Sequence, residues 1–112
     1  MSLLQPKEAV TVLAALAQES RLAVFRMLVQ VGPEGMAATK ISEQLGVPAS
    51  SLSFHLKELA HANLVTTRQD GRFIYYAANF GRMNDLMAFL TDNCCGGNPC
   101  APICSTDCST AA

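Results

Sequence analysis

All five cysteines of this 112-residue chain fall within its last nineteen positions: Cys94, Cys95, Cys100, Cys104 and Cys108. Residues 1–93 contain none, so the folded part of the chain does not use cysteine as a small hydrophobe. Clustered thiolates are soft ligands and select soft metals. The same thiols could instead form a structural disulfide, which reducing compartments disfavour, or serve as a redox switch. Five sulfurs also suffice for a soft divalent cation such as cadmium, or for a four-sulfur zinc site. The spacing matches neither of the common iron–sulfur runs. A nucleophile–base pair, a phosphate loop and a histidine-rich pocket are all missing from the sequence. An enzyme is therefore not expected, nor is an organic cofactor.

A second set of residues has the chemistry of nucleic-acid contact. Residues 49–62, ASSLSFHLKELAHA, have helical spacing, with Leu52, Leu56 and Leu59 as the inner stripe. At about 100° per residue, Ser50, Phe54, Lys57 and His61 fall on the opposite side. Ser51 and Ser53 flank that outer stripe, and His55 lies nearer the core direction. Serine can bond a phosphate or a base edge, lysine a phosphate or a guanine, and an exposed phenylalanine can meet a thymine methyl. Arg68 and Arg72 flank Gln69-Asp70-Gly71, a hairpin turn signal, where a wing would reach the DNA backbone or minor groove.

The elements that must position these groups follow from periodicity. Residues 6–17 start with proline, suited to a first helical turn, and carry Val10, Leu13, Leu16 and Ala17 at helical spacing. Residues 19–31 have Leu22, Phe25, Leu28 and Val29 as an apolar face and stop at Gly32-Pro33. Residues 39–45 form a short helix closed by Gly46. After residue 62 the period changes to two: residues 64–68 and 72–77, rich in β-branched and aromatic side chains, pair as one hairpin. Residues 82–93 return to helical spacing with Met83, Leu86, Met87, Phe89 and Leu90. The expected fold is mainly α with one β-hairpin, a winged helix-turn-helix. It occupies residues 1–93 as a DNA-binding and dimerisation domain. Residues 94–112, rich in Gly, Pro, Ser and Thr, are expected to be a flexible cysteine-rich tail.

Composition agrees with a single packed domain. Half the residues are apolar and only 15% are charged, which suggests apolar surface hidden against a partner. Residues 1–82 hold eight cations against six acids, a net of +2, whereas residues 83–112 hold three aspartates and no cation. The overall charge of −1 therefore leaves room for DNA binding by the first part, with weak non-specific affinity. No apolar run is long enough to span a membrane, and the N-terminus lacks the pattern of a secretory signal. A cytoplasmic location is expected.

The segments Leu16–Leu22, Ser50–Leu59, Ala62–Val65 and Arg68–Tyr76 together resemble the ArsR/SmtB family of metalloregulatory transcriptional repressors, over about residues 8–93. The resemblance implies a homodimer that binds double-stranded operator DNA carrying an inverted repeat and leaves it when an inducer binds. It also implies a dimer interface built from the first and last helices, including Met83, Leu86, Met87, Phe89 and Leu90. Two of the family's inducer sites are missing: residues 36–42 contain no cysteine, and no histidine follows His61. Cys94-Cys95 followed by Cys100 resembles the arsenic-responsive type with a C-terminal vicinal cysteine pair. That resemblance implies arsenite, antimonite or methylarsenite as inducer on Cys94, Cys95 and Cys100, with Cys104 as alternative third ligand. Trivalent arsenic takes three thiolates in a pyramid, a methylated arsenical only two. An adjacent pair supplies two sulfurs from one stretch, and Gly96-Gly97 lets a third fold back. Cys108 is expected to be redundant. The alternatives are a repressor responding to a soft divalent cation or to thiol oxidation, and a thiol-rich metal-buffering protein.

Overall fold

Pro6 opens the first helix, and the Glu8 carboxylate accepts the Gln5 N–H at 2.9 Å, satisfying one of the donors a helix start leaves unpaired. The structure, a computed structural model, describes residues 4–92. Its elements are α1 (Pro6–Leu16), α2 (Glu19–Val31), β1 (Met36–Ala37), α3 (Ala38–Leu45), α4 (Ala49–His61), β2 (Val65–Asp70), β3 (Phe73–Ala78) and α5 (Phe80–Leu90). This is a mainly helical winged helix-turn-helix, as expected. The sheet has three antiparallel strands in the order β1-β3-β2, so the hairpin gains a short strand. Two residues carry no readable period, which is why β1 is invisible in the sequence.

Local chemistry sets the ends of the elements. The Gln18 side chain caps α2 by accepting the Arg21 N–H at 2.9 Å, while Arg21 Nε donates to the Ala15 carbonyl at 2.7 Å and ties α2 to α1. α3 ends on Gly46 in the left-handed region. α4 ends in a Schellman motif: Leu64 N–H reaches Leu59 O at 2.9 Å, Asn63 N–H reaches Ala60 O at 3.0 Å, and Asn63 sits at φ 62°. The first strand of the hairpin runs two residues further toward the tip than its composition suggests, and the second starts one residue later. Asp70 pairs with Phe73, which leaves a two-residue turn, Gly71-Arg72, with Gly71 at φ 64°. A positive φ at that position is what the right-handed twist of a hairpin requires. α5 begins two residues before, and ends three residues before, the span the periodicity suggests. Thr91 Oγ1 turns back to the Met87 carbonyl at 2.8 Å at its end.

The core gathers Val12, Val24, Leu28, Ile41, Leu52, Leu56, Leu59 and Leu64, all at most 2% exposed. Each is worth about 1.5–3 kcal/mol on burial. The inner stripe of α4 is the one its spacing indicates. α1 is different. It buries Ala9, Val12 and Ala15, whereas Val10 and Leu13 stand 65% and 42% exposed. In α2, Val24 is buried and Leu22 is exposed. Both helices carry apolar residues on more than one face, and packing selects the face that meets α4 and the sheet.

Gly35 makes the third strand possible. It has φ 81°, and a Cβ there would collide with the Tyr76 carbonyl. Met36 pairs with Tyr76 and Ala37 with Tyr75 directly after it. Gly35→Ala should therefore lower stability by about 2 kcal/mol or more, measured by thermal or urea unfolding. Gly46→Ala faces open space and should cost only its backbone strain, about 1 kcal/mol.

Candidate nucleic-acid interface

α3 and α4 form the helix-turn-helix. Ser42 Oγ donates to the Val47 carbonyl, bracing the turn between them. With Leu52, Leu56 and Leu59 buried, α4 presents Ser50, Ser51, Ser53, Phe54 and Lys57 outward. Phe54 is 55% exposed, an unusual state for an aromatic side chain with no evident packing role. His55 is half-buried. Its ring meets Phe54 edge-on at 6.0 Å between centroids, and its buried Nδ1 has no hydrogen-bond partner. His55 therefore supports the Phe54 ring from the side. His61 is exposed but borders a cleft of about 390 Å³ between α1 and the end of α4, together with Arg21 and Glu58. It lies one turn beyond Lys57, at the C-terminal end of α4.

The wing divides its two arginines. Arg72 lies in the turn itself and is exposed. Arg68 lies three residues before the turn and is held against the wing. Its guanidinium stacks on Tyr75 at 4.7 Å, donates to the Glu34 carbonyl at 2.9 Å and approaches Asp70 at 3.6 Å. Arg68 thus spends hydrogen-bonding capacity on fastening the wing to the loop before β1, leaving Arg72 as the cation presented by the tip. Two further exposed groups were not singled out from sequence, Thr39 and Lys40 on α3. They border a cleft of about 390 Å³ shared with Phe73 and Tyr75 of the wing. Lys40 is the one cation on the first helix of the motif, and its position there was the available signal. First helices of such motifs cross the DNA backbone.

The candidate interface residues of the last helix fall into two groups. Leu86 is 7% exposed and packs inside the protomer, with Met83 and Phe89 partly buried against the same core. Met87 is half-buried, and Leu90 is 58% exposed. Val10 and Leu13 of α1, which fall at helical spacing in the sequence, are exposed apolar side chains of that helix. Cys94, Cys95, Cys100, Cys104 and Cys108 lie outside the described residues. Among the described residues, no group of three or more His, Cys, Asp or Glu side chains is arranged to hold a metal ion, and no helix is long and apolar enough to cross a membrane.

Residues 16–68, from the end of α1 into the wing, match the model of a helix-turn-helix domain. The arsenical resistance operon repressor of Bacillus subtilis is 36% identical over 81 residues, covering 72% of this chain and 73% of that protein. The chain belongs to the ArsR family of helix-turn-helix transcriptional regulators. Its relatives are regulators that bind DNA, not enzymes. The nodulation protein NolR of Rhizobium meliloti is 35% identical over 80 residues, covering 71% of this chain. The match spans 63% of NolR, less than two thirds of its length. Among solved structures, the homodimeric winged helix-turn-helix domain of Mb0332 from Mycobacterium bovis superposes with a TM-score of 0.61. It is 25% identical and covers 84% of this chain and 87% of that one. In this ArsR-family protein, the exposed outer face of α4 is thus the second helix of the motif, the one that enters the major groove in such proteins.

If Lys57 and Arg72 each meet a phosphate, Lys57→Ala and Arg72→Ala should each lower the slope of log affinity against log salt by about one. Fluorescence anisotropy across a salt series measures this. Unchanged slopes in both variants would remove them from the interface. Phe54→Ala should instead alter preference at one base pair per half-site by about 1–3 kcal/mol.

Proposed function

We propose that this protein is a homodimeric repressor that binds an inverted-repeat operator and releases it when trivalent arsenic or antimony, inorganic or methylated, binds Cys94, Cys95 and Cys100. The observation that carries this is the distribution of thiols: five within residues 94–108 and none before. Support comes from the relatives named as arsenical resistance repressors. Soft trivalent arsenic prefers thiolates, and a reducing cytoplasm keeps thiols free. Ser50, Ser51, Ser53, Phe54, His55 and Lys57 of α4 face or flank the major groove, and Arg72 of the wing, with Arg68 behind it, meets the backbone. Val10, Leu13, Met87 and Leu90 supply exposed or half-buried apolar surface for pairing two protomers through α1 and α5.

The test is operator binding, by gel retardation on a duplex selected from a random-sequence library, with and without arsenite, antimonite, methylarsenite, cadmium or zinc. Release by the arsenic and antimony compounds at low concentration is expected. Release by cadmium or zinc alone would assign the thiols to a divalent cation. Failure to select any specific duplex would favour a thiol-rich metal-buffering protein.

A further inference from the structure

Asn79 stands between the wing and α5, and its side chain makes two bonds to different parts of the fold. Its Oδ1 accepts the Arg82 N–H at 3.1 Å and caps α5. Its Nδ2 donates to the carbonyl of Asn63 at 2.9 Å, sixteen residues earlier. Its backbone N–H donates to the Leu64 carbonyl at 2.8 Å. Asn63 and Leu64 are the two residues that close α4 in its Schellman motif, so a single residue bolts the start of α5 to the end of the groove-facing helix. The connection continues into α1. Arg82, whose N–H Asn79 caps, reaches Glu8 at 3.7 Å.

We infer that Asn79 is a positioning residue for operator recognition: it sets the angle of α4 relative to α1 and α5. α4 has 13 residues and is therefore about 20 Å long. Asn79 holds its C-terminal end, while Ser50, Ser53 and Phe54 lie toward the N-terminal end, which follows the turn from α3. A tilt of about 10° about the Asn79 end moves the N-terminal end by about 3 Å, more than a hydrogen bond to a base edge tolerates. Contacts to phosphates made by long lysine and arginine side chains survive such a shift, whereas base contacts do not. Two copies in a dimer would double the effect.

The inference rests on α4 being the reading helix, and the test separates the two. Asn79→Ser and Asn79→Asp both keep an oxygen to cap α5 and both remove the donor to Asn63. Each should melt within about 3 °C of the wild type, because the lost bond is solvent-exposed. Affinity for a duplex selected from a random library should fall about tenfold or more per dimer. Affinity for a scrambled duplex of equal length, and the salt slope, should stay unchanged. Wild-type discrimination between the two duplexes in both variants would overturn the inference. So would a large drop in melting temperature with equal losses on both duplexes, since Asn79 would then serve only the fold. Lys57→Ala in parallel tests the reading helix itself: if it leaves affinity and salt slope unchanged, the assignment of α4 falls and the inference falls with it. A weakened Lys57→Ala beside unaffected Asn79 variants would sink the inference alone.

Discussion

Replacing Cys94 and Cys95 together by serine should leave operator affinity unchanged and abolish release by arsenite. The expected loss of response is complete, because a hydroxyl does not replace a thiolate as ligand to a soft centre. Release is an energetic difference: the inducer must bind the free dimer more tightly than the DNA-bound one. Taking an operator from 99% occupied to 99% free needs about 5.5 kcal/mol, or roughly half that from each of two sites in a dimer. Formation of thiolate bonds at one site can supply such an amount, and the sequence places the pair only four positions beyond Leu90, the last residue of α5. Cys100→Ser should lose the response to arsenite while retaining part of the response to methylarsenite, which needs only two sulfurs. Cys108→Ser should behave as wild type. Gel retardation across an inducer titration checks all three variants, and arsenite release of the double variant would place the sensing site elsewhere.

Val10→Asp should fold normally, sediment as a monomer and bind the operator at least about 100-fold more weakly. In the protomer Val10 is 65% exposed, so a charge there is already in water and costs the fold within about 0.5 kcal/mol. Covered by a second protomer, the same carboxylate would be buried without a partner, at a cost of several kcal/mol. The low charge content of the chain and the exposure of Leu13 and Leu90 beside this residue type on α1 and α5 both point to coverage. A monomer engages one half-site, and one recognition helix with one wing makes about half the contacts of a specific complex. Sedimentation at micromolar concentration, with thermal unfolding as the control, measures the outcome. A Val10→Asp protein that remains dimeric would move the interface away from the outer face of α1.

Sequence by itself determined the order of the elements other than β1, and the inner side of α4. Leu52, Leu56 and Leu59 are the only large aliphatic residues of α4, so periodicity admits one solution. The hairpin was equally legible from its switch to alternating β-branched and aromatic residues, although strand pairing places the two-residue turn one position later in the chain than the Asp70-Gly71 signal implies. The concentration of thiols after residue 93 is likewise a property of the sequence. Tertiary structure decided which face of α1 turns inward. Ala9, Val12 and Ala15 on one side and Val10 and Leu13 on the other are both apolar, and only the smaller side chains of the first set allow α2 and α4 to approach closely. It decided that Leu86 serves the core rather than surface, and that Arg68 is fastened to Glu34 and Tyr75 while Arg72 is presented. It also joined Asn79 to Asn63 across sixteen positions. Periodicity records whether a residue can be buried. Which partner buries it, or which carbonyl a polar side chain reaches, depends on residues far away in the chain, and those meet only in the folded protein.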